Sequence, residues 1–245
     1  MKRRILISVM SVLMLVTVYI ATNVVLPSAG SRETWNESSK NEPEDENISV
    51  NYSDKCVVID SGHGGIDPGK ESSDGVLEKD INLAIAMKLK DLLEAAQIKV
   101  VMTRTTDNGL YDDNDSNKKI ADMKKRCEII NNSGGNLVVS IHQNSFQSGL
   151  VKGAQVFYYK YSADGKKIAG ILQNQLIESL DNGNKRVAKE DNTYYLLLHT
   201  KIPTVIAECG FLSNQEEKTL LCTEEYQQKI AQALYEGVLK YLATL

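Results

Sequence analysis

The 245 residues, 42% hydrophobic and 24% charged, suffice for one folded core with an appendage and fall short of two full domains joined by a linker. Half of the formal net charge of −4 lies in residues 1–54, which hold five basic and seven acidic residues, so the remainder is nearly neutral. That balance argues against a nucleic-acid partner, which would need a basic surface.

The chain opens with Met1-Lys2-Arg3-Arg4 and an uncharged run to Gly30, of which Ile5 to Leu26 is almost wholly apolar and long enough to cross a bilayer. Residues 1–30 therefore read as a signal peptide or membrane anchor. Pro27 fits poorly in a cleavage site, which favours the anchor. The basic residues ahead of the run leave the N-terminus in the cytoplasm and the bulk of the chain outside. Residues 31–54 are polar and acidic, with too little apolar surface to offset their ordering entropy, and read as a disordered tether.

From Lys55 the hydrophobic period alternates between short β-rich runs and helical spacing, the pattern of a single α/β domain over residues 55–245. Strands are expected at Cys56 to Ile59, Val100 to Met102, Leu137 to Ile141, Gln155 to Tyr158 and Thr204 to Ala207, with a sixth, weaker strand at Tyr195 to Leu198. Helices fit between them. Ile81, Ile85, Leu89, Leu92 and Ala96 form one stripe; Ile120, Met123, Cys127 and Ile130 form a second. Ile168, Leu172, Leu176 and Leu180 form a third, and Tyr226, Ile230, Leu234, Val238 and Tyr241 a C-terminal fourth. The expected architecture is a mostly parallel, mixed sheet of about six strands flanked by helices. Ligands in such sheets gather beyond the carboxyl ends of the strands.

Two of the three histidines, His63 and His142, fall at that edge, as does Glu208. One histidine there would ordinarily be a hydrogen-bonded structural residue; two from separate segments with carboxylates nearby favour a metal. His63 stands in Asp60-Ser61-Gly62-His63-Gly64-Gly65, a loop without the spacing of a phosphate-binding motif. Glu208 ends an apolar strand, where poor solvation suits a general base or acid. Glu78 opens the first helix and alone reads as an acid complementing the helix dipole, but Asn82, four residues on, is placed to orient its carboxylate. His199 reads as a structural or rim residue, and Ser213 or Asn214 as a helix cap. Cys56, Cys127, Cys209 and Cys222 lack CxxC spacing and are expected as buried free thiols.

Four motifs, DSGHGG at Asp60, LEKDINL at Leu77, SIHQN at Ser140 and KIPTVIAECGFLSN at Lys201, together resemble the zinc-dependent N-acetylmuramoyl-L-alanine amidases of the Amidase_3 family. The likeness covers about residues 55–245 and is similar in detail to the CwlD-like spore-cortex subgroup. It implies one Zn²⁺ held by His63, Glu78 and His142, with Glu208 as the catalytic carboxylate. It also implies hydrolysis of the amide between N-acetylmuramic acid and L-alanine of peptidoglycan, in cortex modification leading to muramic-δ-lactam. The protein would then work outside the cytoplasm, at the forespore envelope. A near-neutral domain has no electrostatic hold on an anionic wall, so targeting falls to the site, the anchor or a partner such as a protein activator or accessory lipoprotein. A zinc carboxypeptidase acting on the stem peptide is disfavoured because His63 and Glu78 lack H-x-x-E or H-E-x-x-H spacing. A catalytically silent peptidoglycan-binding protein is disfavoured because all four chemical positions are filled.

Overall fold

The computed structural model describes residues 51–181 and 183–245. The expected signal or anchor, and all but the last residues of the acidic tether, lie outside the described residues; among the described residues no helix is long and apolar enough to cross a membrane. Six strands, β1 (Cys56–Ser61), β2 (Lys99–Met102), β3 (Leu137–Asn144), β4 (Gln155–Tyr159), β5 (Lys189–Asp191) and β6 (Thr204–Phe211), form one sheet in the order β2-β1-β3-β6-β4-β5. The β2-β1-β3-β6 half is parallel throughout. Strand β4 runs antiparallel to β6 and parallel to β5, so the sheet is mixed as expected.

The helices are α1 (Glu78–Ala95), α2 (Lys118–Asn132), α3 (Ala163–Leu180), α4 (Tyr195–His199), α5 (Gln215–Leu221) and α6 (Glu224–Leu242). Strand side chains alternate between the sheet's two faces. Val57, Ile59, Leu137, Val139, Ile141, Val205 and Ala207 point into the larger core, with Ile85 and Leu89 of α1, Leu172 of α3 and Leu234 of α6. Val58 and Val138 point the other way, onto Cys127 and Ile130 of α2 and Leu196 of α4. Each of the fully buried Val, Leu and Ile side chains among these contributes roughly 1.5–3 kcal/mol. One face is thus closed by three long helices, and the other by one helix and a single turn.

Four expectations change. Tyr195 to Leu198 is not a strand but the body of α4. A four-residue apolar run carries no period, and here Leu196 and Leu197 are buried in different clusters while Leu198 is exposed. The sixth strand is instead Lys-Glu-Asp at 189–191, an edge strand whose charges hide it from an apolar pattern. Ile120 is 50% exposed, because it sits in the first turn of α2, ahead of the Met123 to Ile130 stretch that meets the sheet. All four cysteines are free thiols, three of them buried and Cys222 exposed. Asn214 caps α5 by accepting the Glu217 N–H at 3.0 Å.

Candidate active site

The sequence places the functional residues just after the strands; the structure keeps two of them inside. Strand β3 continues through His142 to Asn144 and β6 through Glu208 to Phe211, with His142 and Glu208 facing each other in register. Alternation puts Ser140, His142, Ile206 and Glu208 on the thinly covered face, where Asp60 of β1 pairs with Ser140. A groove of about 400 Å³ opens there, lined by His63, Glu78, His142, Glu208, Tyr194 and Met123 among others.

Three of the four expected residues converge on one point. A nitrogen or carboxylate oxygen from each of His63, Glu78 and His142 lies within 4.8 Å of the others. His63 Nε2 is 3.2 Å from Glu78 Oε2, and His142 Nδ1 is 3.0 Å from Glu78 Oε1. The outer contacts fix these side chains. His63 Nδ1 lies 2.9 Å from Asp67 Oδ2, which holds the ring with Nε2 turned inward. Glu78 Oε2 accepts the Lys70 N–H at 2.8 Å, and Oε1 accepts the Gln143 N–H at 3.0 Å and the Asn82 amide at 3.2 Å. The orienting role expected of Asn82 is therefore met, and its oxygen accepts from the Gln143 side chain in turn. Burial alone would raise the Glu78 carboxyl, but the hydrogen bonds and charges of His142 and His63 hold it well below the usual carboxylate range. Burial would likewise lower the His142 imidazole, and Glu78 reverses this so that it lies above its ordinary value.

The backbone around His63 is shaped for this approach. His63 itself has φ +61°, a left-handed conformation that costs a non-glycine residue energy and must be imposed by its surroundings. Gly62 is packed so closely that a Cβ there would stand 2.3 Å from the His142 ring. Two buried arginines that sequence reasoning missed hold the loop. Arg104 donates to the carbonyls of Ser61 and Gly62 at 3.0 Å each and to that of Lys79 at 2.8 Å. Arg126 donates to the Ser61 carbonyl at 2.6 Å, the His63 carbonyl at 2.5 Å and Asp60 Oδ1 at 2.7 Å. Asp60 also accepts from Ser140 and Thr103, so although burial would raise its carboxyl, Arg126 and these hydroxyls bring it down to about 2. One signal was readable: Arg126 lies three residues after Met123 and four before Ile130, on the inward stripe of α2, where a lone charge needs a buried partner.

Glu208 occupies a different environment. It is 7% exposed; Oε1 receives only the Tyr194 hydroxyl at 3.4 Å, and Oε2 is buried with no hydrogen-bond partner. Burial is the main cause that raises its pKa, and Glu78 adds to it, against the opposing pull of His142. Tyr194 is the third residue that sequence reasoning missed. His199 lies apart from the groove, stacked on Tyr195 at 3.9 Å, as expected of a structural residue.

A half-buried His-Glu-His cluster beside a poorly solvated carboxylate, at the floor of a groove on a mixed α/β sheet, defines a hydrolase with a candidate metal site. The chain belongs to the Amidase_3 family of N-acetylmuramoyl-L-alanine amidases, which residues 57–240 match. It hydrolyses the amide that joins N-acetylmuramic acid to L-alanine in peptidoglycan. Over 196 residues it is 37% identical to the germination-specific N-acetylmuramoyl-L-alanine amidase of Bacillus subtilis, a match covering 79% of this chain and 82% of the relative. The CwlD amidase of Clostridioides difficile, solved in complex with the GerS lipoprotein, superposes with a TM-score of 0.76 at 44% identity, over 78% of this chain and all of that one. The amidase AmiC2 of Nostoc punctiforme follows at 0.68 and 30%, over 77% of this chain and 97% of that one.

Proposed function

We propose that this amidase works with one zinc ion held by His63, Glu78 and His142, with Glu208 as the group that moves the proton. The donor set suits zinc: two imidazoles and one carboxylate leave a fourth position open, as catalytic zinc requires. Each of the three residues offers one ligand atom, and these atoms lie within 4.8 Å of one another, near enough for one ion to be shared. An ion held by His63, Glu78 and His142 would supply Lewis acidity, lowering the pKa of water and polarising the scissile carbonyl. Asp67 fixes the His63 tautomer, and Asn82, Gln143 and the Lys70 backbone hold Glu78 still while substrate enters.

Glu208 accepts a proton from the attacking water and returns it to the departing L-alanine amine. The observation that carries this assignment is its buried, unpartnered Oε2 beside the cluster. Release of stem peptide from purified peptidoglycan, measured together with bound zinc, tests the reading. Full activity in a zinc-free protein would overturn it.

The setting rests on the relatives. The germination-specific name of the Bacillus subtilis amidase and the likeness to the CwlD amidase support a role in the spore cortex, outside the cytoplasm. There a glycan stripped of its stem peptide would be ready for conversion to muramic-δ-lactam. That the CwlD amidase was solved with the GerS lipoprotein supports an accessory lipoprotein as partner, with residues 1–30 as signal or membrane anchor. Comparing muramic-δ-lactam content in spores with and without the gene tests this role; unchanged content would rule it out.

A further inference from the structure

Glu208 has two oxygens, and the protein treats them differently. Oε1 faces the hydroxyl of Tyr194 at 3.4 Å, whereas Oε2 is buried with no partner. Tyr194 is itself held from two sides. Its N–H donates to Asp191 Oδ1 at 3.1 Å, and the same oxygen accepts the Thr193 N–H at 2.6 Å and hydroxyl at 2.8 Å, which fixes the turn between β5 and α4. Its ring packs at a tilt on Phe157, centroid to centroid 5.5 Å. The hydroxyl therefore enters the groove from a rigid edge rather than from a free loop. Burial, with the charges of Glu208 and Asp191, raises the phenol above its ordinary value, so it remains a donor.

We infer that Tyr194 is a positioning residue for Glu208: its hydroxyl engages Oε1 and so presents Oε2 as the oxygen that takes up and returns the proton. This rests on Glu208 being the proton acceptor. A separation of 3.4 Å is long for a hydroxyl-to-carboxylate bond, and such contacts tighten when substrate fills the site. A carboxylate engaged through one oxygen turns less freely, so its second oxygen keeps a narrower range of orientations. Without the hydroxyl the side chain samples several orientations, and the loss falls on the chemical step rather than on substrate binding. Tyr194→Phe keeps the ring on Phe157 and removes only the donor.

The test uses the full chain loaded with zinc and assayed on peptidoglycan. Tyr194→Phe is expected to lower kcat about tenfold while KM stays within about twofold, with zinc content and Tm as in the parent. In a Glu208→Gln background the same change is expected to have no further effect, because the group it positions is gone. A parental kcat in Tyr194→Phe would overturn the inference, as would a tenfold further loss in the double variant, which would mean that the hydroxyl acts on substrate directly. A kcat loss accompanied by lost zinc or a lowered Tm would also overturn it, as a structural effect. Parental activity in Glu208→Gln alone would strike instead at the assignment of Glu208 as the base.

Discussion

Glu78 and Glu208 are the same residue type, both nearly inaccessible and both lining one groove, yet the protein surrounds them in opposite ways. Glu78 stands at the start of α1, where the loop from β1 folds back on it. Two backbone N–H groups, one side-chain amide and two imidazoles satisfy both of its oxygens. Glu208 projects from the middle of a buried strand whose backbone groups are engaged in the sheet, so little is left to solvate it. The first environment stabilises a fixed negative charge and suits a metal ligand. The second keeps a carboxylate basic and suits a group that must gain and lose a proton. A carboxylate's role here follows from the donors its backbone context supplies.

The sharpest way to break this contrast is to exchange the consequences of losing each group. Glu78→Ala is expected to abolish zinc retention after dialysis, and activity with it, by a factor of about 10³ or more, since one of three ligands is gone. Metal analysis of the purified variant checks this. Glu208→Gln is expected to lose about 10²–10⁴ in kcat while binding zinc as the parent does. If Glu208→Gln lost zinc, or Glu78→Ala kept it, the two assignments would have to be exchanged. A smaller effect comes from the second layer: Asn82→Ala is expected to weaken zinc binding about 10–100-fold, measured by chelator competition, and to leave kcat at saturating zinc near the parental value.

How far the contrast was legible differs between the two residues. Glu208 could be found because an acid ending an apolar strand is conspicuous, and because period-two alternation puts it on the face shared with His142. Glu78 was reached only through the likeness of its LEKDINL motif to the family, since an acid in the first turn of a helix is ordinary; the contacts that hold it come from the loop of residues 62–70 and from β3. The path of that loop depends on Arg104 and Arg126 reaching backbone carbonyls, contacts of which the sequence shows only the inward place of Arg126 on α2. The larger core was readable because three long amphipathic stripes face four apolar strands. Strand β5 and helix α4, short and without period, were not, and with them went Tyr194.

The smallest effect is also the most discriminating, because it compares the two glutamates without metal or substrate. In zinc-free protein Glu78→Gln is expected to lower Tm by about 5–10 °C, corresponding to roughly 2–3 kcal/mol. Both oxygens of Glu78 accept backbone N–H groups, so an amide must turn its NH₂ toward one of those donors. Glu208→Gln is expected to raise Tm by about 2–4 °C at pH 7, roughly 1 kcal/mol, since it removes a poorly solvated charge and breaks no strong bond. The pH dependence has opposite signs. The folded pKa of Glu78 is depressed, so its contribution is present above its ordinary value of 4.5 and is lost only as pH falls through the lower folded value. That of Glu208 is raised, so stability is complete below 4.5 and declines as pH rises through the folded pKa. Calorimetry across this range should therefore find the advantage of Glu208→Gln closing toward pH 4.5 while the deficit of Glu78→Gln persists there. Parallel curves for the two variants would mean that the environments are not the opposites the hydrogen bonds describe.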